Sequence, residues 1–432
     1  MKTLFPKQAE ARDFFCAKQD AGFNTLDTSH VGTGKTVVAA HTAKSLGRSV
    51  AVICPKAVIP SWEKELAETG VDAIFVTNYE KLRTGKTEWM SKRGKKLMKW
   101  HLPKDTLVLV DEVHKASAGA YTQNAQMLIS LVAQGYKVHG MSATASKTPV
   151  EMRALGYALG LHSLNKPQGR LKSWYGWMMA NGCKQDHWGQ WMLTRRAHLN
   201  DIREIMYSTN VKRLTVDDFP ESFKENRVFL TPVSHASAAK IARAYTKEGI
   251  TAEIVEQYIR TGTVEDSEWV LVNLLRARQL AESLKAKEMA DIAADHVEQG
   301  HSVVLFVNFS ETVSTLQSLL GCRAIQGGQS AEERQDIIDS FQRDEEHTIV
   351  VNIAAGGTGI SLHDVVGNRQ RISLISPTFN DKDHQQALGR IHRNGAKSDA
   401  IQKIMVATGS IEEQVIEAIE DKIKCQETLH GT

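Results

Sequence analysis

Residues 29–36 read Ser-His-Val-Gly-Thr-Gly-Lys-Thr. Gly32 and Gly34 let the backbone turn tightly, so that its N–H groups can face phosphate oxygens. A helix over TVVAAHTAKSL would add its positive end to the same anion. Lys35 suits the β- and γ-phosphates of a nucleotide, and Thr36 suits a magnesium ion. Ser29 stands where such a loop usually has its first glycine, and it is small enough to fit. The plainer alternative is a glycine-rich turn before a helix. A second group follows in Val-Leu-Val-Asp111-Glu112-Val-His114. A carboxylate pair ending a buried strand is costly unless a cation or a water uses it. Asp111 would hold Mg²⁺, directly or through water, and Glu112 would orient the attacking water. The alternative is a strand-end pair facing solvent, which the lysine loop upstream argues against. A third group, Gln386-Ala-Leu-Gly389-Arg390-Ile-His392-Arg393, sets two arginines three apart, the spacing of one helix face. Alone that is a solvated face. With a phosphate loop elsewhere in the chain, Arg393 reads as an arginine finger assisted by Arg390, a device worth ~10³–10⁵ in rate.

These groups need rigid strands to hold them. The runs 49–54, 73–77, 106–110 and 137–142 are short, apolar and rich in β-branched residues, and so are 302–308, 348–353, 371–376 and 402–407. Continuous apolar runs of this kind read as buried parallel strands. Helical patterns such as WEKELAE and AEERQDIIDSFQ lie between them, so each series predicts a doubly wound sheet. The stretch between the series shows no strand pattern. Its tryptophans (Trp174, Trp177, Trp188, Trp191) and its Leu/Ala/charge spacing predict helices, with aromatics filling a helical core as the plain account. The expected division is 1–155 for a nucleotide-binding lobe, 156–285 for a helical insert and linker, and 286–432 for a second lobe.

Length and composition agree with this reading and exclude other classes. A chain of 432 residues predicts about three structural units. With 53 Lys/Arg against 50 Asp/Glu the net charge is +3, too small for a polycation, so nucleic acid could be met only through local patches. Five scattered cysteines without a C-x-x-C pair argue against a disulfide scaffold or a zinc site and fit a reducing cytoplasm. The N-terminus lacks a signal-peptide core, and no run of ~18 apolar residues predicts a membrane span.

Taken in order, the motifs resemble superfamily-two helicases, and within them the Swi/Snf-type DNA translocases, over nearly the whole chain. The resemblance implies an α/β fold of two RecA-like doubly wound parallel-sheet lobes in tandem with a helical insert between them. It also implies ATP and Mg²⁺ as ligands. Leu4-Phe5-Pro6-Lys7-Gln8 resembles the adenine-reading segment, with Gln8 as the reader, and Thr33 and Gly359 would join the nucleotide site. Ile53-Cys54-Pro55-Lys56 with Ser61-Trp62-Glu63-Lys64-Glu65 resembles motif Ia. Val76-Thr77-Asn78-Tyr79-Glu80 resembles the segment that touches the nucleic-acid backbone. Ser142-Ala143-Thr144, together with Gln386, resembles the groups that couple hydrolysis to the strand. NIAAGGTGISL (352–362) is similar to motif V and QALGRIHRNG (386–395) to motif VI. By this resemblance Pro55, Lys56, Thr77, Asn78, Tyr79, Asn308, Ala355, Gly356 and Gly357 would contact nucleic acid. Ala145, Thr358 and Ala396 depart from the family pattern without removing a catalytic group. The insert (SWYGWMMANGCKQDHWGQ onward) is similar to the annealing-helicase branch, and the short chain resembles minimal prokaryotic or bacteriophage forms.

Between Lys81 and Lys104 lie nine Lys/Arg against one acidic residue, Glu88, with Trp89 and Trp100 interleaved. Such a local excess reads as a phosphate-binding patch that includes Lys95, Lys96 and Lys99, the alternative being a solvated loop. No recognition helix or zinc finger is visible, so contact with backbone and shape is expected. The leading expectation is an ATP-driven translocase on duplex or branched DNA that remodels forks, anneals strands or displaces proteins. It would act as a monomer in a bacterial or infected-host cytoplasm, with a protein partner for targeting left open. A strand-separating DNA or RNA helicase and a silent nucleic-acid clamp are the other two readings.

Overall fold

Alternation of apolar strand and amphipathic helix dictates two parallel sheets. The first contains β1 (Thr25–Asp27), β2 (Val50–Cys54), β3 (Ala73–Asn78), β4 (Leu107–Asp111), β5 (Lys137–Met141) and β6 (Val211–Lys212), in the order β6-β1-β5-β4-β2-β3. The second contains β7 (Asn226–Pro232), β8 (Ser302–Val307), β9 (Arg323–Ile325), β10 (Thr348–Asn352), β11 (Arg371–Ile375) and β12 (Ala400–Val406), in the order β7-β12-β11-β8-β10-β9. Every pairing in both sheets is parallel. This is the computed structural model of the chain, and it describes residues 3–93, 97–117, 122–186, 189–261, 268–356 and 360–431. Two compact units result, Met1–Asp218 with Ile423–Thr432, and Phe219–Lys422.

Strand side chains alternate between faces, so each central strand feeds two cores. In the first unit Ala51, Ile53, Val108, Val110 and Leu26 pack on one side. Val50, Val52, Cys54, Leu107 and Leu109 pack on the other, against Ala39, Ala40 and Ala43 of the helix Lys35–Ser45 and against Trp62 and Leu66 of the helix Ile59–Thr69. In the second unit Val304, Phe306, Ile349 and Val351 meet Ile337, Ile338 and Phe341. Each such side chain, fully buried, stabilises by about 1.5–3 kcal/mol.

Residues 156–285 are divided between the two units, and the one sheet they form by themselves among the described residues is a two-stranded hairpin. The helices Trp174–Ala180 and His198–Thr209, the hairpin Cys183–Gln185/Trp191–Leu193 and β6 belong to the first unit. β7 and the helices His235–Lys247, Ala252–Thr261 and Glu268–Glu298 belong to the second. Helices dominate there as expected, but the strands were not foreseen. β6 is two residues long, and β7 is an edge strand with Val228, Phe229 and Leu230 exposed, so neither shows a buried apolar run. Trp174 and Trp177 are buried core, and Trp188 lies outside the described residues. Among the described residues no helix is long and apolar enough to cross a membrane.

Two of the histidines buried in the first unit are His139 and His430. His139 in β5 pairs its Nδ1 with Thr25 Oγ1 at 2.8 Å, beside the Phe15 ring. His430 pairs its Nε2 with the Ser146 carbonyl at 2.9 Å. Burial pushes each imidazole down to about 3, from an ordinary 6.5. Between those values the unfolded chain binds protons that the folded chain refuses, so stability rises with pH across the window and is lost on acidification. Each group contributes a slope of up to about 1.4 kcal/mol per pH unit. His139→Gln should therefore lose less stability than wild type when the urea midpoint is compared at pH 7.5 and pH 5. Equal losses in the two proteins would show that His139 is not the group responsible.

Candidate nucleotide site and nucleic-acid face

In a parallel sheet every strand ends on the same edge, and that edge is where open α/β sheets bind ligands. The register of the first sheet sets three of the sequence groups at one level. Asp27, the last residue of β1, pairs with Met141 of β5, and Met141 pairs in turn with Asp111 of β4. The glycine loop follows Asp27, the acidic pair begins at Asp111, and Ser142 follows Met141. The first strand-to-loop junction is closed by Ser142 N, which donates to the Asp27 carbonyl at 3.0 Å.

The loop is held from both sides. Gly34 has φ +92 and caps the helix Lys35–Ser45, a backbone conformation that suits glycine. A Cβ there would also lie 2.4 Å from Gln8 Nε2. Gly32, at φ +85, needs the same freedom. Gln8, in the first turn of the helix Pro6–Asp20, donates from Nε2 to the Thr33 carbonyl at 2.8 Å and accepts from Phe5 N. Ser29 does not have a positive φ, so this loop needs no glycine at that position. Its hydroxyl accepts from Leu214 N at 2.8 Å, and its N–H donates to Asp27 Oδ1. Lys35 Nζ donates to the carbonyls of Ser29 (2.8 Å) and His30 (3.0 Å), so the ammonium lies within the loop's own turn. Thr36 follows, half-buried, in the first turn of the helix. Two residues not foreseen complete the loop's support. Asp27 is buried, which raises its carboxyl, while the Lys35 charge pulls it down. Arg213, just past β6, meets His30 Nε2 at 2.7 Å. Neither belongs to a recognisable spacing pattern, so the sequence carries no signal for them.

The acidic turn is equally constrained. Glu112 has φ +51, one of two positive-φ non-glycines among the described residues. Its Oε2 lies 3.2 Å from His114 Nδ1 and accepts from Ser142 Oγ at 3.3 Å. His114 Nδ1 also meets Ser142 Oγ at 2.9 Å, and Thr144 N donates to the same hydroxyl at 3.2 Å. Ser142 and Thr144 are thus wired to Glu112. Ala143 contributes its carbonyl, which accepts from Gln426 Nε2 at 2.5 Å. Asp111 is half-buried. Desolvation first, and the Glu112 charge second, push its carboxyl up to about 6. A cation would offset that penalty. The chain offers Mg²⁺ one carboxylate and the Thr36 hydroxyl, and no cluster of three His/Cys/Asp/Glu exists among the described residues. That donor set suits an ion held mostly by phosphate oxygens and water.

In the second unit the structure corrects one expectation. The helix Asp381–Leu388 ends before the arginines, so Arg390 and Arg393 lie in the turn after it and not on a helix face. The turn forms because Gly389 caps the helix and the Arg390 carbonyl accepts from Leu362 N at 2.9 Å. Arg390 is buried, donating to the Ile360 carbonyl (3.3 Å) and to Gln386 Oε1 (3.5 Å). Arg393 donates from Nε to the Gly389 carbonyl at 3.1 Å, and burial pushes its guanidinium down to about 10.

The residues expected to touch nucleic acid divide by exposure. Lys56 is exposed, and Asn78 caps the helix Tyr79–Arg83 by accepting from Lys81 N at 2.8 Å. Pro55, Thr77 and Tyr79 are buried. Asn308 is committed to Glu282 (2.6 Å) and to the Pro377 carbonyl (3.1 Å). Ala355 and Gly356 belong to the short helix Ile353–Gly356, and Gly357, Gly359, Lys95 and Lys96 lie outside the described residues. The basic stretch begins in the helix Tyr79–Arg83 and continues into a hairpin, Met90–Arg93 with Leu97–Trp100. Its alternation turns Met90, Met98 and Trp100 inward and Ser91 and Lys99 outward. Trp100 is therefore core, donating to Ser130 Oγ, while Trp89 is half-buried under Lys81.

Comparison with known proteins agrees with these motifs. Residues 284–395 match the helicase conserved C-terminal domain. A protein of Acanthamoeba polyphaga mimivirus that carries the name of an ATP-dependent RNA helicase is 30% identical over 430 residues, 93% of this chain and 78% of that one. A Drosophila erecta protein named DNA repair and recombination protein RAD54-like is 27% identical over 175 residues, 38% of this chain and 22% of its own length. The chromatin remodeling factor mit1 of Schizosaccharomyces pombe is 28% identical over 177 residues, 39% of this chain and 12% of its own length. Among solved structures, a Sulfolobus solfataricus SWI2/SNF2 ATPase core in complex with dsDNA covers 96% of this chain and is covered to 90%, with 17% identity and a TM-score of 0.38. With the Lys35 loop, the Asp111–Glu112 turn and a relative matched over most of both lengths, the chain belongs to the superfamily-two helicases, of the Swi/Snf type.

Proposed function

We propose that the chain hydrolyses ATP with Mg²⁺ to translocate along duplex or branched DNA, remodelling forks, annealing strands or displacing bound proteins. The observation that carries this reading is the shared register of Asp27, Met141 and Asp111, which sets the lysine loop, the acidic pair and the Ser142 segment side by side. Lys35 and the loop N–H groups would bind the phosphates, with Gln8 and Thr33 bounding the loop. Thr36 and Asp111 would hold Mg²⁺, which neutralises charge on the phosphates when bound. Glu112, oriented by His114 and Ser142, would take up the proton of the attacking water. Arg390 and Arg393 are proposed from their motif as the groups that stabilise charge on the γ-phosphate. Exposed Lys56, Lys81, Lys86 and Lys99, with Asn78, would meet the nucleic-acid backbone, which suits stepping along any sequence.

The experiment is the steady-state ATPase rate, with Lys35→Ala as blank, against no effector, single-stranded DNA, duplex DNA, forked DNA and single-stranded RNA. Strongest stimulation by duplex or forked DNA supports the proposal. Stimulation by single strands alone replaces it with a strand-separating helicase, and the absence of any turnover replaces it with a clamp.

The basic stretch makes a separate prediction. Replacing Lys81, Lys86 and Lys99 with alanine should flatten the dependence of log Kd on log salt by about 0.9 per lost phosphate contact. An unchanged slope in a salt titration would place these three lysines away from the nucleic acid.

A further inference from the structure

Two buried aromatic side chains converge on Asp111 from neighbouring segments. Trp62 comes from the helix Ile59–Thr69, which follows β2, and Tyr79 comes from the helix Tyr79–Arg83, which follows β3. Both rank among the largest fully buried side chains in the chain. Trp62 donates from its indole Nε1 to Asp111 Oδ2 at 2.9 Å. Glu112 N donates to Asp111 Oδ1 at 2.9 Å. Each carboxylate oxygen thus has a fixed donor, and the carboxylate plane cannot turn without breaking one of the two bonds. Tyr79 acts on the backbone instead. Its hydroxyl donates to the Asp111 carbonyl at 2.7 Å, with the Glu112 carbonyl a second acceptor at 3.4 Å. That places the hydroxyl against the peptide leading into Glu112, the residue held at φ +51. A left-handed conformation costs a non-glycine roughly 1–2 kcal/mol, so the surrounding bonds must hold it.

Buried indole N–H and phenol O–H groups need partners wherever they sit. What goes beyond that need here is the choice of acceptor. Both groups end on the turn that carries the two carboxylates, one on the side chain and one on the main chain. We infer that Trp62 and Tyr79 are positioning residues for the hydrolysis proposed above. Trp62 sets the plane in which the Asp111 carboxylate meets the magnesium–nucleotide. Tyr79 holds Glu112 in the conformation that presents its carboxylate to the attacking water. Tyr79 also adjoins Asn78, so the segment proposed to meet nucleic acid lies one residue from this hydroxyl. The inference rests on the nucleotide-site reading.

The test uses the full chain as wild type, Lys35→Ala, Trp62→Phe and Tyr79→Phe. Thermal unfolding checks the fold of each. Binding of a fluorescent ATP analogue is measured with Mg²⁺ and with EDTA, and kcat and KM for ATP are measured at saturating duplex DNA. Trp62→Phe is expected to cut the gain in affinity that Mg²⁺ provides by about tenfold while leaving the affinity in EDTA unchanged, the size of effect usual for partners of a metal ligand. Tyr79→Phe is expected to lower kcat by about tenfold with KM unchanged, because it removes one oxygen and little volume. If Trp62→Phe fails to fold, Tyr79→Phe decides the matter. Folded variants that match wild type overturn the inference and leave the nucleotide reading standing. Equal losses of affinity with and without Mg²⁺ also overturn it, since those mark packing alone. A wild type whose turnover does not depend on Lys35 removes both.

Discussion

Glu112→Gln is expected to bind ATP as wild type does and to hydrolyse it about 10²–10⁴-fold more slowly, the range for loss of a positioned general base. The substitution is nearly isosteric, so the left-handed turn and the contact with Ser142 survive, and what disappears is the capacity to accept a proton. His114 and Ser142, the latter held by Thr144 N, orient this carboxylate. Rapid-quench single-turnover kinetics beside equilibrium nucleotide binding separates the two effects. Turnover close to wild type would remove Glu112 from the chemistry, while a parallel loss of binding would make it a ground-state contact.

The largest effect on stability is expected in the second unit. Lys285, in the helix Glu268–Glu298, and Glu412, in the helix Ile411–His430, form an ion pair at 2.6 Å with both side chains almost wholly buried. The second Glu412 oxygen accepts from Ala407 N at 2.9 Å. Lys285→Ala leaves a buried carboxylate without its counter-charge, a change that costs about 3–5 kcal/mol. Lys285→Met combined with Glu412→Gln should recover most of that loss, since glutamine still accepts from Ala407 N and no net charge stays buried. The measurement is the urea midpoint of the transition that reports the second unit. A loss under about 1 kcal/mol for Lys285→Ala would show that water reaches Glu412 in the folded state.

Sequence pattern reached eight strands because a strand with buried faces shows a short apolar run, clearest at 49–54 and 348–353, which are buried on both faces. It reached the Lys35 loop and the Asp111–Glu112 pair because their chemistry needs fixed spacing along one segment. It did not reach β1, β6 or β9, which are two or three residues long and owe their pairing to the sheet that receives them. β7 was missed for the opposite reason, since an exposed edge strand has no buried face to advertise. The arginine turn was misread as a helix because i, i+3 spacing carries no record of the cap at Gly389. Trp62 and Tyr79 stood inside segments that could be recognised, but which oxygen each would meet depends on three strands side by side. Trp100 stands among the lysines in sequence, and only the hairpin's alternation shows that it turns inward.

The first unit takes its last residues from the far end of the polypeptide. Leu429 sits in its core, Gln426 bonds the Ala143 carbonyl and His430 bonds the Ser146 carbonyl, on the segment that runs on from Ser142. During synthesis residues 1–218 leave the ribosome first, at about 5–20 residues per second. Their native packing must nevertheless wait until the intervening 219–422 have been made. For that interval the space meant for Leu429 stands open, a defect that for a buried leucine amounts to about 2–5 kcal/mol. The unit that carries the lysine loop therefore completes its core only after the segment that holds Leu429 has been made, although its first 218 residues are translated first.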